Sequence, residues 1–282
     1  MKLKSLFSLY LFAALCLAVV SCEDDDGIND YAPERPVGGY TSSSQIAPAE
    51  LVAHWTFSNT LSDSVGGLAG TSSGTAFAPG RKGLAYQGAD GKFVSYTSAG
   101  ALANLQSFTL SMWINTKKHA DGAQAVFMLP RTSDFWGNMF MMIESNTSNN
   151  DSMFVKFNFD GQWAEMGGNL KLPNMYGGWK HLAFAYDAGT SKFSAFQNGK
   201  KLSLPASMTD RKDGTNPLGA LTFTDVSKFI IGGFQQHLGA PWSAPDSWMK
   251  TYTGALDEFR VYKKALSESD INSLYKLELL GR

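Results

Sequence analysis

The sequence predicts an all-β fold, two antiparallel sheets stacked as a β-sandwich or jelly roll, with one short helix at the C-terminus. Three observations predict it. Apolar and polar residues alternate with a period of 2, most clearly at Phe108, Leu110, Met112 and Ile114 against Thr109, Ser111, Trp113 and Asn115. Alternation at that period places one set on each face of a strand. Asp160-Gly161, Gly177-Gly178 and Asn198-Gly199 punctuate the segments, and such pairs accept the backbone geometry of tight turns. A helical apolar stripe stands out once, at Ile271, Leu274 and Tyr275, behind Ser267 and Asp270 spaced as a capping pair.

The expected strands follow in order. Leu51 to Phe57 opens the series, and Lys92 to Tyr96 follows a glycine-rich turn. Phe108 to Asn115, Ala125 to Leu129, Asn138 to Glu144 and Met153 to Phe159 continue it. Trp179 to Tyr186, Lys192 to Gln197, Lys228 to Ile231 and Tyr252 to Tyr262 complete at least ten strands. No composition break or internal repeat divides residues 48–282, and all-β sandwiches often reach this length as one domain.

The N-terminus carries an address. Lys2 and Lys4 precede an apolar run from Leu6 to Val20, shorter than the ~20 residues that span a bilayer. Residues 1–21 therefore read as a signal peptide. Val19-Val20-Ser21-Cys22 resembles a bacterial lipobox, in which the cut falls before a cysteine that then carries lipid. Glu23-Asp24-Asp25-Asp26-Gly27 resembles the surface-export signal of Bacteroidetes lipoproteins. Residues 22–47, with Pro33, Pro36, paired glycines at 38–39 and the run Thr41-Ser42-Ser43-Ser44, read as a flexible linker. The expected location is the outer membrane, lipid-anchored through Cys22 and facing outward.

Composition narrows the function. The only cysteines are Cys16 and Cys22. The first leaves with the signal and the second is acylated, so the mature chain has no disulfide and no cysteine metal site. There are 24 Lys and Arg against 25 Asp and Glu. Removing Lys2 and Lys4 leaves 22 against 25, a net of −3 for the mature chain. No basic stripe exists to hold a phosphate backbone, which speaks against nucleic acid as a partner.

Residues 253–267 read T-G-A-L-D-E-F-R-V-Y-K-K-A-L-S. Strict alternation places Asp257 on one face with Ala255, Phe259 and Val261, and Leu256, Glu258, Arg260 and Tyr262 on the other. If Phe259 and Val261 point into a core, Asp257 goes with them. A buried carboxylate is costly unless it is paired, hydrogen-bonded or on a metal.

This segment resembles the closing motif of LamG-like, concanavalin A-like jelly-roll domains. The resemblance runs over nearly all of residues 50–278. Val52-Ala53-His54-Trp55-Thr56-Phe57 looks like the opening strand, and Asp63-Ser64-Val65-Gly66-Gly67 like the following loop. Phe108 to Asn115, Trp179 to Asp187 and Asn198-Gly199-Lys200 match further family segments. Gln87-Gly88-Ala89 departs from the usual F-D-G, and the loop 205–227 is long. The resemblance implies one structural calcium, Ca2+, held between Asp63 and Asp257, since calcium favours carboxylate and carbonyl oxygens.

Such folds host several functions, so each candidate site stands on its own residues. Of seven tryptophans, Trp55, Trp113 and Trp179 fall in strand motifs and read as structural. Trp136, Trp163, Trp242 and Trp248 fall in loops rich in Gly, Pro, Ser and Asp. Indole faces stack on the apolar faces of sugar rings, and nearby carboxylates and amides hold hydroxyls. Asp134 and Asn138 beside Trp136, and Asp246 between Trp242 and Trp248, complete the expected glycan surface. No E-x-D-x-x-E strand of the laminarinase type is present, Glu144 and Glu165 are isolated in sequence, and no catalytic residue is assigned. Gly70-Thr71-Ser72-Ser73-Gly74 matches G-x-S-x-G without the strand-to-helix context that gives the motif meaning. The leading expectation is a surface lipoprotein with a non-catalytic carbohydrate-binding domain. The alternatives are an adhesion or protein-interaction module, and a glycoside hydrolase with carboxylates gathered from separate strands.

Overall fold

The computed structural model describes residues 35–282, of which Pro36–Arg282 form one compact unit. The expected signal peptide, Cys22 and the first part of the linker lie outside the described residues. The strands are β1 (Leu51–Trp55), β2 (Gly70–Ser72), β3 (Ala76–Pro79), β4 (Leu84–Gln87), β5 (Val94–Tyr96), β6 (Phe108–Asn115), β7 (Ala123–Leu129), β8 (Met139–Glu144) and β9 (Val155–Phe159). They continue as β10 (Gln162–Met166), β11 (Lys180–Asp187), β12 (Lys192–Gln197), β13 (Lys200–Lys201), β14 (Lys212–Asp213), β15 (Asn216–Pro217), β16 (Phe229–Ile231), β17 (Met249–Thr251) and β18 (Ala255–Tyr262). A one-turn helix α1 (Ala206–Thr209) lies in the long loop, and α2 (Glu268–Leu279) ends the chain.

Two sheets of eight strands make the sandwich. The first runs β13-β12-β11-β6-β18-β4-β3, with β1 also on β18; the second runs β10-β9-β8-β7-β16-β5-β2, with β17 also on β7. All these pairings are antiparallel except β17 with β7. The expected hairpin turns are present: Asp160 and Gly161 have φ of 49° and 75°, and Asn198 and Gly199 have 49° and 72°. Glycine adopts that geometry freely and asparagine and aspartate tolerate it.

Period-2 alternation fills the core. Phe108, Leu110, Met112 and Ile114 of β6 meet Met139, Met141 and Ile143 of β8 and Val155, Phe157 and Phe159 of β9. Trp55 stacks at 5.2–5.3 Å on Phe229 and Phe259. The other face of β6 is buried as well, because α2 covers it. Ser267 caps that helix, its Oγ accepting from Asp270 N at 3.1 Å, and Ile271, Leu274 and Leu277 are buried.

The expected linker is shorter than residues 22–47. Its last part is folded onto the domain. Tyr40 Oη donates to Asp270 Oδ1 at 2.8 Å, and Ile46 is buried with Ile271, Leu274 and Leu277. An amphipathic helix needs its apolar stripe covered, and this segment completes the cover. Polar composition hid its role.

A charged network fastens the same layer. Arg260 donates from Nε to Glu278 Oε1 at 2.7 Å and from Nη2 to Glu258 Oε2 at 2.6 Å and Ser43 Oγ at 3.2 Å. Trp113 Nε1 donates to Glu278 Oε2 at 2.7 Å, and His54 Nε2 lies 3.0 Å from Glu258 Oε2. Burial pushes the Glu278 carboxyl up to about 7. Burial also raises Glu258, but His54 and Arg260 outweigh it and hold that group below its ordinary value.

Strict alternation along β18 fails at this point. Glu258 has φ 45°, and the register shifts between Asp257 and Arg260. A bulge of one residue inverts the faces beyond it. Leu256, Phe259 and Val261 therefore share the core, and Asp257 turns toward the loop at Gly80 to Lys82.

Candidate functional site

The outer face of the second sheet carries a separate apolar cluster, away from the sandwich core. Ala123, Ala125 and Met128 of β7, Phe140 and Met142 of β8, Ile230, Phe234 and Met249 form its buried floor. A bulge in β7 between Ala125 and Phe127 shifts its alternation, so that Val126, Phe127 and Leu129 join the core while Ala123, Ala125 and Met128 face outward. Trp136, Trp163 and Trp248 sit on this floor, each partly exposed. Trp136 is the hub: its ring lies 4.9 Å from Trp163, 5.9 Å from Trp248 and 5.4 Å from Phe140. The sequence separates these indoles by up to 112 positions; the sheet brings them together.

Each indole has a local reason to be there. Asp134 Oδ1 accepts from Trp136 N at 2.7 Å and closes the turn before β8. Trp163 stands on the edge strand β10, where its carbonyl accepts from Arg211 Nη1 at 2.9 Å. Trp248 leads into β17, and its carbonyl accepts from Ala123 N at 2.8 Å. Gly122 makes that approach possible: its φ is 63°, and a Cβ there would meet the Trp248 carbonyl oxygen at 2.1 Å.

Charged groups border the indoles. Lys156 of β9 reaches Glu144 Oε1 at 2.8 Å and Glu165 Oε1 at 3.5 Å. Burial lowers the Lys156 pKa, but the two carboxylates, Glu144 first, outweigh it and hold it above the ordinary lysine value. Glu144, Lys156, Trp136, Trp248 and Met142 line an open recess of 320 Å³. Glu144 and Glu165, isolated in sequence, converge here because β8, β9 and β10 are neighbours. Sequence reasoning missed Lys156 and this convergence, because cross-strand neighbours lie on separate segments and no local spacing records them.

Two expected members of the surface are buried. Trp242 is only 8% exposed; its Nε1 donates to Arg131 O at 2.9 Å and pins one loop to another. Asn138 is 2% exposed. Its Nδ2 donates to Pro130 O and Thr224 O at 2.9 and 2.8 Å, and its Oδ1 accepts from Thr224 N at 3.0 Å. Loop composition suggested exposure, but long loops carry polar backbone that buried side chains must satisfy. Asp134 and Trp242 line a different recess of 260 Å³ with Phe135 and Gln235. Asp246 is exposed in the loop before β17, its carbonyl accepting from Met249 N at 2.9 Å.

Asp63 and Asp257 are both buried, at 3% and 0% exposure. Asp63 accepts from the N–H groups of His54, Val65 and Gly66 at 2.7, 2.9 and 2.6 Å. Asp257 accepts from Lys82 N and Glu258 N at 2.9 and 2.8 Å, and burial pushes its carboxyl up to about 7. Among the described residues no three His, Cys, Asp or Glu side chains converge. Calcium takes 6–8 oxygens, favouring ionised carboxylates. These two carboxylates serve backbone N–H groups instead, and they do not fit a shared calcium.

The G-x-S-x-G run resolves as an edge strand and a turn. Ser72 Oγ accepts from Gly74 N and Thr75 N at 2.9 and 2.7 Å, and no helix follows it. His181, 0% exposed, lies 2.8 Å from Ser111 Oγ and packs against Trp113.

Solved structures share this fold. Domain 4 of AbnA, a GH43 extracellular arabinanase from Geobacillus stearothermophilus in complex with arabinotriose, aligns with a TM-score of 0.55 at 21% identity, over 80% of this chain and 98% of that one. A structure of botulinum neurotoxin type C, described with two ganglioside molecules, aligns at 0.55 and 12% identity, over 84% and 53%. A Trypanosoma rangeli sialidase in complex with a difluorinated KDN aligns at 0.54 and 16% identity, over 82% and 33%. At these identities the likeness is one of fold. No curated protein sequence matches. The model of the concanavalin A-like lectin/glucanases superfamily matches residues 88–272, from the turn after β4 into α2. With about two thirds of its length matched, and with the sandwich described above, the chain belongs to the concanavalin A-like lectin/glucanase superfamily.

Proposed function

We propose that this protein is a non-catalytic carbohydrate-binding module that captures glycan on the outer face of its second sheet. One observation carries the reading: Trp136, Trp163 and Trp248, partly exposed on one face, stand beside Lys156, Glu144 and Glu165. Indoles stack on sugar C–H faces while charged groups hold hydroxyls. The complex of arabinotriose with a domain of the same fold is consistent with it. The charged border weighs against a purely apolar protein-docking patch. The Lys156 ammonium, between the Glu144 and Glu165 carboxylates, weighs against a glycosidase. It takes the space a glycosidic oxygen would need between an acid and a nucleophile.

The N-terminal residues, which lie outside the described part, support display at the outer membrane surface through lipid on Cys22. A glycan array with the full chain tests the function. Binding of a defined glycan class that Trp136→Ala weakens supports the reading. Absence of glycan binding, with capture of a surface protein instead, replaces it with the adhesion module.

A further inference from the structure

A second recess, of 310 Å³, opens on the same sheet on its β2–β5 side. Phe93 and Leu238 of its lining pack against the same apolar cluster that carries the indoles. The two recesses lie on one aromatic seam. Ring centroids step from Phe93 to His237 in 6.0 Å, to Phe234 in 6.2 Å, to Trp248 in 5.5 Å and to Trp136 in 5.9 Å.

The chemistry of this recess differs from that of the indole face. Thr71, Ser95 and Thr97 contribute hydroxyls, His237 an imidazole and Lys228 an ammonium, and no carboxylate among the described residues lines it. Lys228 makes no ion pair with a described residue; its Nζ lies 5.6 Å from the Trp242 ring centroid, held over the indole face. His237 Nδ1 lies 3.1 Å from Phe234 N and 3.3 Å from Phe234 O, so the ring is anchored to its own turn through that nitrogen. Burial lowers the pKa of that imidazole below its ordinary value. A recess of hydroxyls and an imidazole around one cation, with no carboxylate in its lining, favours an anion, and charge-assisted hydrogen bonds to oxygen are the strong ones.

We propose that this recess is a second subsite, one that takes the oxyanion substituent of an acidic glycan, a uronate carboxylate or a sulfate ester. The proposal rests on the glycan reading above. A neutral chain would use the indoles alone. An acidic chain would use the indoles and, further along the seam, Lys228 with the hydroxyls and His237. Trp242, which the sequence placed on the sugar-binding surface, acts here by holding the lysine.

The test is titration calorimetry of the full chain with three matched oligosaccharides: neutral, uronate-bearing and sulfated. The wild type should bind at least one acidic ligand about tenfold more tightly than the neutral one. The uronate and sulfate arms identify which source of oxyanion fits. Lys228→Gln should erase the preference and leave neutral binding alone, Lys228→Arg should keep it, and Trp136→Ala should weaken all arms. In the wild type the preference should shrink as salt is raised, a readout that needs no variant to fold. Equal wild-type affinities, or a preference that survives Lys228→Gln or high salt, overturn the subsite; if Trp136→Ala still weakens binding, the glycan reading stands without it. No binding in any arm overturns both.

Discussion

Replacing Trp136 with alanine separates binding from packing on the outer face. The ring lies within 6 Å of Phe135, Phe140, Trp163 and Trp248, yet stays partly exposed. Fully burying a large apolar side chain is worth roughly 1.5–3 kcal/mol, so its partial burial implies a stability loss of about 1 kcal/mol. Removing a ring that stacks on the ligand at the centre of a binding face costs about 1 kcal/mol or more, about fivefold in affinity. Trp242→Ala is the counter-experiment. That ring is 8% exposed and its Nε1 holds Arg131 O, so truncation should cost about 3 kcal/mol of stability. In a domain of this size that is a fall of roughly 6–12 °C in Tm. Its affinity for a neutral glycan should not change. Calorimetry with a neutral oligosaccharide, beside thermal melts, reads both quantities. If Trp136→Ala loses stability and keeps full affinity, the indole cluster is packing under loops, and the sugar reading goes with it.

Three further outcomes follow. Burial raises the Glu278 carboxyl to about 7, against the 4.5 of an ordinary glutamate, although Arg260 and Trp113 pull the other way. The Glu278 contribution is full below about 4.5 and is lost as pH rises through about 7. Buried His181, held near 3, acts in the opposite sense, so the difference between wild type and Glu278→Gln is the readout. The wild type's advantage in Tm should shrink from pH 4.5 to 7.5, and a growing advantage would contradict the assignment. Excess chelator and millimolar calcium should give the same Tm, because Asp63 and Asp257 are committed to backbone N–H groups; a calcium-dependent rise would restore the shared ion by mass action. Cys22→Ala should move the protein out of the membrane fraction and remove the mass of the lipid; unchanged fractionation would count against the anchor.

The sequence by itself determined what is local. Period-2 alternation at Phe108 to Asn115, the Asp160-Gly161 and Asn198-Gly199 turns and the Ser267 cap depend on neighbours a few residues apart, and the structure has each of them. Of the family-motif tryptophans, Trp55 and Trp113 are buried as expected, while Trp179 is partly exposed. Tertiary structure alone decided what depends on register and on cover. One bulge at Glu258 moved Asp257 away from the face of Phe259 and Val261, and a strand pattern does not announce where a residue will be inserted. Loop composition could not tell the partly exposed Trp136 and Trp248 from the buried Trp242 and Asn138, since exposure depends on which other loop lies on top. The meeting of Glu144, Lys156 and Glu165, and of three indoles far apart in the chain, follows from the order of β10, β9, β8 and β7 in the sheet. That order is set by long-range pairing, whose free energy is spread over the whole core and leaves no signature at any one of those residues.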